Sequence, residues 1–447
     1  MKKHVICLGI ILLSAIAMIS CSKDNDIAQE DAKESPDGNE TQIVRPEEKT
    51  GKDDMKDCYI PLSDNQKTAV AKNNDFAFRF FRKVSELSYV KGTSFVCSPL
   101  SATYTLGILN SGSQGVTSEE ITSMLGFGGG SKQDVNDLCK QLIDNAPIVD
   151  ESVALKLADC VILHLGIELS EAYKKDIQDY YDSEIFSKDF TQASTIDFIN
   201  DWCSKHTEGM IKKILGEGEL SAEAKMVVMN AVYFNAPWSG MFKPQDTNDE
   251  EFTCEDGSKQ HLQVMRRQDA TYYSANEQYE VIGLPYGNGK NWIMYVLLPK
   301  EGKNVDDVLK GLNNDSWNRY RPFGSEAIMV DVKLPKFRIE SDLFLNSIFN
   351  DLGATAMFNE KLADFRLITS DAIPLWINQI KQKAVIDVSE EGTEASAVTI
   401  AMVASSGLDS SPDVPEVQKF YATHPFVYLI QETSSDAIFF IGTYQGN

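Results

Sequence analysis

The chain has 447 residues, 66 acidic against 42 basic side chains and a formal net charge of −24. That acidity argues against nucleic acid as a partner, because neutralising phosphates needs clustered Lys and Arg. In the body of the chain basic residues run no longer than doublets such as Lys174–Lys175, Lys212–Lys213 and Arg266–Arg267. With 43 % hydrophobic and 10 % aromatic residues there is ample material for a core, and at about 150 residues per domain the length suggests roughly three domains.

Lys2 and Lys3 precede an apolar stretch, Val5 to Ser20, that is shorter than a membrane span and has the layout of a secretory signal. Its ending, Ala17-Met18-Ile19-Ser20-Cys21, resembles the bacterial lipobox, in which the Cys becomes the lipidated first residue; Met18 is a less usual choice there. The reading is a signal over 1–20 with lipid on Cys21, against the alternative of an ordinary signal with an incidental Cys. Residues 21–57 carry Asp24, Asp26, Glu30, Asp31, Glu34 and Asp37 and almost no large apolar side chains, the composition of an acidic flexible tether. An acidic stretch there resembles the export signals of Bacteroidetes surface lipoproteins; a plain linker is the alternative. Of the remaining cysteines (Cys58, Cys97, Cys139, Cys160, Cys203 and Cys254) none has a close metal-ligand spacing.

From residue 58 onward there is no internal repeat, and no further linker until about Ala404. Asn73-Asn74-Asp75 ahead of Phe76, Ala77, Phe80, Phe81, Val84 and Leu87 predicts a capped amphipathic helix. Phe95-Val96-Cys97 reads as a buried strand, and Ser98-Pro99 as N-cap and first residue of a helix through Leu109. Thr117-Ser118-Glu119-Glu120 has the spacing of a capping box. The runs 226–234 and 292–298 are continuously apolar, as in strands covered on both faces. Val330, Val332, Leu334, Phe337 and Ile339 mark one extended segment interrupted by Pro335, Val385–Val388 a further strand, and 426–430 with 437–443 a closing pair.

Enzyme signatures are missing. Removing the signal leaves His164, His206, His261 and His424, and no H-E-x-x-H, G-x-S-x-G, Walker loop or dinucleotide fingerprint occurs. Gly126, Gly128, Gly129 and Gly130 lack phosphate-cradle spacing and read as a loop after a helix. A dispersed Ser/His/Asp triad would be invisible in sequence.

The informative stretch is Glu390-Glu391-Gly392-Thr393-Glu394-Ala395-Ser396-Ala397-Val398-Thr399. As a strand it would place Thr393, Ala395, Ala397 and Thr399 on one side, small and nearly apolar, and Glu394, Ser396 and Val398 on the other. Composition by itself favours a flexible small-residue loop.

This stretch resembles the reactive-loop hinge of the serpin family. The likeness extends over 58–447 through Asn74-Asp75-Phe76, Ser98-Pro99-Leu100-Ser101, Asn230 to Trp238, Leu284-Pro285-Tyr286, Leu334-Pro335-Lys336-Phe337, Ala363-Asp364-Phe365, His424-Pro425-Phe426 and Phe440-Ile441-Gly442, all in order. The resemblance implies an α+β single domain over 58–447, with three β-sheets, about nine helices and an exposed reactive-centre loop. It implies a non-enzymatic inhibitor that offers the loop as substrate, then inserts the cut loop into its main sheet while the serine protease is still acyl-linked. It also implies that Ser98, Ser101, Asn230 and Trp238 control opening of that sheet, with Gln382 where many members have His. Ala395-Ser396-Ala397 suit an inhibitory hinge; Val398 is larger than usual.

The family's seventeen-residue span from Glu390 puts the scissile bond at Ser406–Gly407, with Met402, Ala404 and Leu408 as alternatives. No Lys or Arg lies between Gly392 and Gln418, so an elastase-, subtilisin- or chymotrypsin-like target is expected. The further expectations are a monomer on the cell surface, held to the outer membrane by lipid on Cys21, with no heparin-type cofactor and no other cofactor or metal. The competing readings are a non-inhibitory serpin acting as a binding module and a surface lipoprotein enzyme or glycan binder.

Overall fold

Apolar runs of the second half become strands whose backbone groups are satisfied in three sheets. The computed structural model describes residues 59–369, 373–393 and 417–447. Contacts divide the chain into units Met1–Asp54 and Met55–Asn447, and every described residue belongs to the second. A single compact unit over Met55–Asn447 thus replaces the three domains that length suggested.

The main sheet runs in the order Phe337–Phe344, Gln379–Val388, the two-residue strand Gly392–Thr393, Met226–Pro237, Ala154–His164, Glu184–Lys188. A second sheet contains Phe95–Cys97, Ile438–Tyr444, Phe426–Glu432, Trp292–Pro299 and Tyr279–Tyr286. The long strand Lys259–Ala275 closes that sheet with residues 272–275 and continues into a third, pairing with Asn248–Thr253 and Ile328–Pro335; Gln418–Tyr421 forms the edge. Nine α-helices surround these sheets among the described residues.

The helix Pro99–Ser111 is buried at every position, the hydroxyls of Ser101 and Thr105 finding partners on the sheet above it. It lies beneath the main sheet, N-capped by Ser98 with Pro99 in its first turn. On the opposite face of the sheet the helix Ala193–His206 and residues 207–225 form a second apolar layer, in which Ile199, Trp202, Ile211, Ile214 and Leu215 join Cys160, Ile162, Val227, Met229 and Ala231. The strands therefore alternate between two cores, which is why they read as continuously apolar.

Three local readings are corrected. The first helix is Asp64–Ser85, capped by a Ser63–Gln66 box, and Asn73 and Asn74 lie in its interior. There the Asn74 amide donates to Asp436 O at 2.8 Å, and its carbonyl accepts from Ile438 N, so the residue serves a distant partner and not a cap. Thr117 lies inside the helix Gly115–Met124, whose N-cap Gln114 makes no side-chain bond; its hydroxyl accepts from Asp364 N instead. The segment around Pro335 is two strands in different sheets, because Ile328–Pro335 pairs with Lys259–Ala275 and Phe337–Phe344 with Gln379–Val388. Cys97, Cys139, Cys160 and Cys203 are buried free thiols and Cys254 a partly exposed one.

Candidate functional site: the seam of the main sheet

Gln379–Val388 and Met226–Pro237 run parallel and pair directly only over 379–384 against 227–232. Beyond Ala384 and Val232 the strands separate, and Gly392–Thr393 enters between them. Thr393 pairs antiparallel with Val388 on one side and Ala236 on the other, and Gly392 with Pro237. The seam is thus open at one end and closed over six residue pairs below it. An antiparallel strand placed between parallel neighbours replaces one slanted ladder by two antiparallel ones, which are slightly more stable per residue.

The open end is built around aromatic rings. Trp238 and Tyr286 stack with centroids 4.2 Å apart and planes 10° from parallel. Trp238 Nε1 donates to Ser389 O at 2.9 Å, its backbone N to Glu391 O at 3.0 Å, and Phe242 N to Glu390 O at 3.1 Å. Thr393 is only 1 % exposed, and its hydroxyl lies 2.5 Å from that of Tyr286. Gly392 has φ +150°, and a Cβ on it would lie 2.1 Å from Ala236 O, so the turn into the seam requires glycine. Glu390 anchors the approach through Lys336 at 2.7 Å and the Thr247 hydroxyl at 2.8 Å. Burial raises its pKa, but those two contacts outweigh burial and leave it below the ordinary glutamate value.

The closed part lies over a polar cluster. Register aligns Asp159, Asn230 and Gln382 in one row across three strands. Ser98 N donates to Gln382 Oε1 and Gln382 Nε2 to Ser98 O, each at 2.9 Å. The Ser101 hydroxyl donates to Asn230 Oδ1, and Asn230 Nδ2 to Asp159 Oδ1 at 2.9 Å, where Thr105 Oγ1 also donates at 3.1 Å. Each donor from Ser101 onward points toward Asp159, whose carboxyl burial pushes up to about 7 despite the bonds from Asn230 and Thr105.

Ser98, Ser101, Asn230 and Gln382 therefore converge as a group. Trp238 stands apart from them, with the hinge at the other end of the strand. Of the expected hinge, Glu390, Glu391, Gly392 and Thr393 are described. Glu394, Ala395, Ser396, Ala397, Val398 and Thr399, the bond Ser406–Gly407, its alternatives Met402, Ala404 and Leu408, and Cys21 lie outside the described residues. Sequence reasoning missed Asp159 and Thr247, and quoted Tyr286 and Lys336 in the family likeness without giving them a role. For Asp159 a signal existed: it occupies the same strand parity as Leu155, Leu157, Val161 and Leu163, so the pattern places an acid on the core face.

Gly392–Thr393, which follows Gln379–Val388 in the chain, is thus paired on both sides at the mouth of the parallel seam. The sequence model described as "Serpin (serine protease inhibitor)" matches residues 71–445, and the chain belongs to the serpin family. It is 28 % identical over 373 residues to an uncharacterized serpin-like protein of Methanosarcina acetivorans, covering 83 % of this chain and 84 % of the relative. Serpin-ZXA of Oryza sativa subsp. japonica is 28 % identical over 390 residues, covering 84 % and 96 %. Among solved structures, the native state of the thermophilic serpin tengpin superposes with a TM-score of 0.76 at 26 % identity, covering 87 % of this chain and 95 % of that one. Thyroxine-binding globulin in complex with thyroxine shares the fold with a TM-score of 0.74 at 24 % identity, covering 84 % and 98 %.

Proposed function

We propose that this chain is a suicide-substrate inhibitor of serine proteases with elastase-, subtilisin- or chymotrypsin-like specificity, and not itself an enzyme. The observation that carries the reading is Gly392–Thr393 paired on both sides at the mouth of the seam. Continuing that register sets residue 395 between Phe234 and Ile386, 397 between Val232 and Ala384, and 399 between Asn230 and Gln382. Thr393, Ala395, Ala397 and Thr399 would then face the inner core, and the Thr399 hydroxyl would meet the polar cluster. Val398 would face outward beside Ala231, in the apolar layer that accommodates its extra bulk.

In this reaction the protease's serine Oγ attacks the carbonyl carbon of Ser406. An ester forms, the bond to Gly407 N breaks, and the new amine leaves with a proton. The freed arm, still esterified to the protease, then enters the seam. If about a dozen residues gain ladder bonds at ~1 kcal/mol each, insertion releases on the order of 10 kcal/mol, so the uncut form is held by a barrier. Ser98, Ser101, Asn230 and Gln382, which bridge both sides of the seam, are the residues we assign to that barrier, with Trp238 guarding the mouth.

The test is to mix the protein with pancreatic elastase, subtilisin, chymotrypsin and trypsin and run a denaturing gel. A covalent SDS-resistant band with the first three supports the reading. Fragments alone, or no reaction as from a non-inhibitory binding module, overturn it, and efficient trapping of trypsin overturns the specificity. Within the same proposal, residues 1–20 are a lipoprotein signal and Cys21 carries lipid. An acidic tether over 21–57 then holds a monomeric inhibitor at the outer-membrane surface. Radiolabelled palmitate incorporated by the wild type and lost in Cys21→Ala is the expected result. No helix among the described residues is long and apolar enough to cross a membrane.

A further inference from the structure

The outer face of the seam is covered by a strap. Residues 207–225 follow the helix Ala193–His206 and lead into Met226–Pro237. Asn200 binds strap to helix: its side-chain oxygen accepts from Ile214 N at 2.8 Å and Leu215 N at 2.9 Å, and its amide donates to Leu215 O at 3.0 Å. The strap is then fastened to Gln379–Val388, the strand across the seam from the one it leads into. Lys381, opposite Met229, places its ammonium 2.8 Å from Glu219 of the strap and 2.9 Å from Asp342 of the neighbouring strand. Lys383, opposite Ala231, donates to the strap carbonyl of Lys213 at 2.6 Å and pairs with Glu340 at 2.7 Å.

We infer that Lys381 is a positioning residue, the clasp that holds strap 207–225 across the closed seam and limits how fast the seam opens. It is the stronger of the two ties for a physical reason. Lys381 is 1 % exposed, sits 4.7 Å from the centroid of the Phe344 ring, and joins a carboxylate of the strap to one of the sheet. Lys383 meets only a neutral carbonyl on the strap. Both ties have an ionised donor, but the pair with Glu219 adds the attraction of two opposite full charges, which a carbonyl lacks. Removing the Lys381 charge would also leave Glu219 of the strap and Asp342 of the sheet as like charges without the ammonium they share. Glu219 further shapes the strap by accepting from Gly216 N at 2.7 Å, so its own replacement disturbs the turn as well as the clasp.

This inference deepens the proposed inhibitory reading, since it concerns the seam that reading requires to open. The experiment is hydrogen exchange on the uncut full-length protein, comparing wild type with Lys381→Met, which keeps the apolar stem, and Lys381→Arg, which keeps the charge. The expected result is exchange within 207–225 faster by about tenfold in K381M, near wild type in K381R, and unchanged in the helix Pro99–Ser111. After nicking of the loop, K381M should also gain heat resistance several-fold faster. Strap exchange unchanged in a folded K381M overturns the clasp. If K381M does not fold, Lys381→Gln takes its place, with the same rise expected and no rise overturning the proposal. Exchange in the uncut protein needs no protease, so a chain that shows the effect without trapping any protease loses the inhibitory reading and keeps the clasp.

Discussion

Thr393 and Tyr286 place their hydroxyls 2.5 Å apart, and the Tyr286 ring stacks on Trp238, so the first side chain after the hinge glycine is already docked. A long charged side chain there would bury its charge against the Tyr286 phenol and the Trp238–Tyr286 stack. Thr393→Arg should therefore leave the loop cleavable at the wild-type rate while the cut arm fails to enter the seam. The covalent fraction on a denaturing gel should fall from most of the protein to nearly none, with fragments in its place. A stable covalent complex from this variant would contradict insertion as the trapping step.

Gly392 makes a different prediction, because its role is conformational. At φ +150° an L-residue is strained, and the added carbon would collide with Ala236 O and the Pro237 backbone. Gly392→Ala should expel the docked pair at a cost of about 2 kcal/mol. The measurements are a fall in melting temperature of the uncut protein and a shift in fluorescence from Trp238, whose indole N–H donates to Ser389 O next to the hinge. Under the proposed mechanism the same residue stays in the seam in the final state, so trapping should weaken in parallel. A variant with wild-type melting and fluorescence would show that the docked pair contributes nothing to the resting form.

Glu390 anchors the strand end against Lys336 and Thr247, and its depressed folded pKa fixes the sign of its pH dependence. A carboxyl held below its unfolded value stabilises the fold above that value, and the contribution disappears as pH falls through the lower folded value. Glu390→Gln keeps an acceptor for Thr247 and loses the ion pair. Because Lys336 is partly exposed, screening limits the expected loss to about 1 kcal/mol or less near pH 7. Thermal melts of both proteins should converge as pH falls below the range in which Glu390 is ionised. A difference that persists there would mean that packing, and not the ion pair, is what the substitution disturbed.

Particular residues show how far the sequence was readable. Period-two alternation carried Thr393 correctly to a buried, inward position, because strand parity is local information. The convergence of Ser98, Ser101, Asn230 and Gln382 came through family likeness alone, since their contacts span up to 284 residues and have no local signal. Trp238 was grouped with them on the same grounds, yet the register carries it to the hinge, where it meets Ser389 and Tyr286. Asn74 is misread: its cap-like chemistry reads as local, while its partners Asp436 and Ile438 arrive from the far end of the chain. The strap was silent as well, because Lys381 and Lys383 look like solvent-facing residues until 207–225 is folded over them.

Asp159 carries the last prediction. Burial raises its carboxyl to about 7, so the folded protein retains a proton that the unfolded chain releases near pH 4. The sign is opposite to that of Glu390: the contribution is fully present below the unfolded value and is lost as pH rises through about 7. Asp159→Asn keeps an oxygen to accept from Asn230 and Thr105 and removes the titration. Burial also pushes Glu432 up and His424 down, so both can titrate nearby and the readout must be the difference between variant and wild type. The variant's stability advantage should grow by about 1.4 kcal/mol per pH unit between pH 5 and 7, then level off. If the row Asp159–Asn230–Gln382 sets the barrier to opening, the variant should also convert more slowly to the inserted form at pH 8 than the wild type does. An advantage that stays constant from pH 5 to 9 would show that Asp159 is ionised throughout, and that the charge under the seam is fixed.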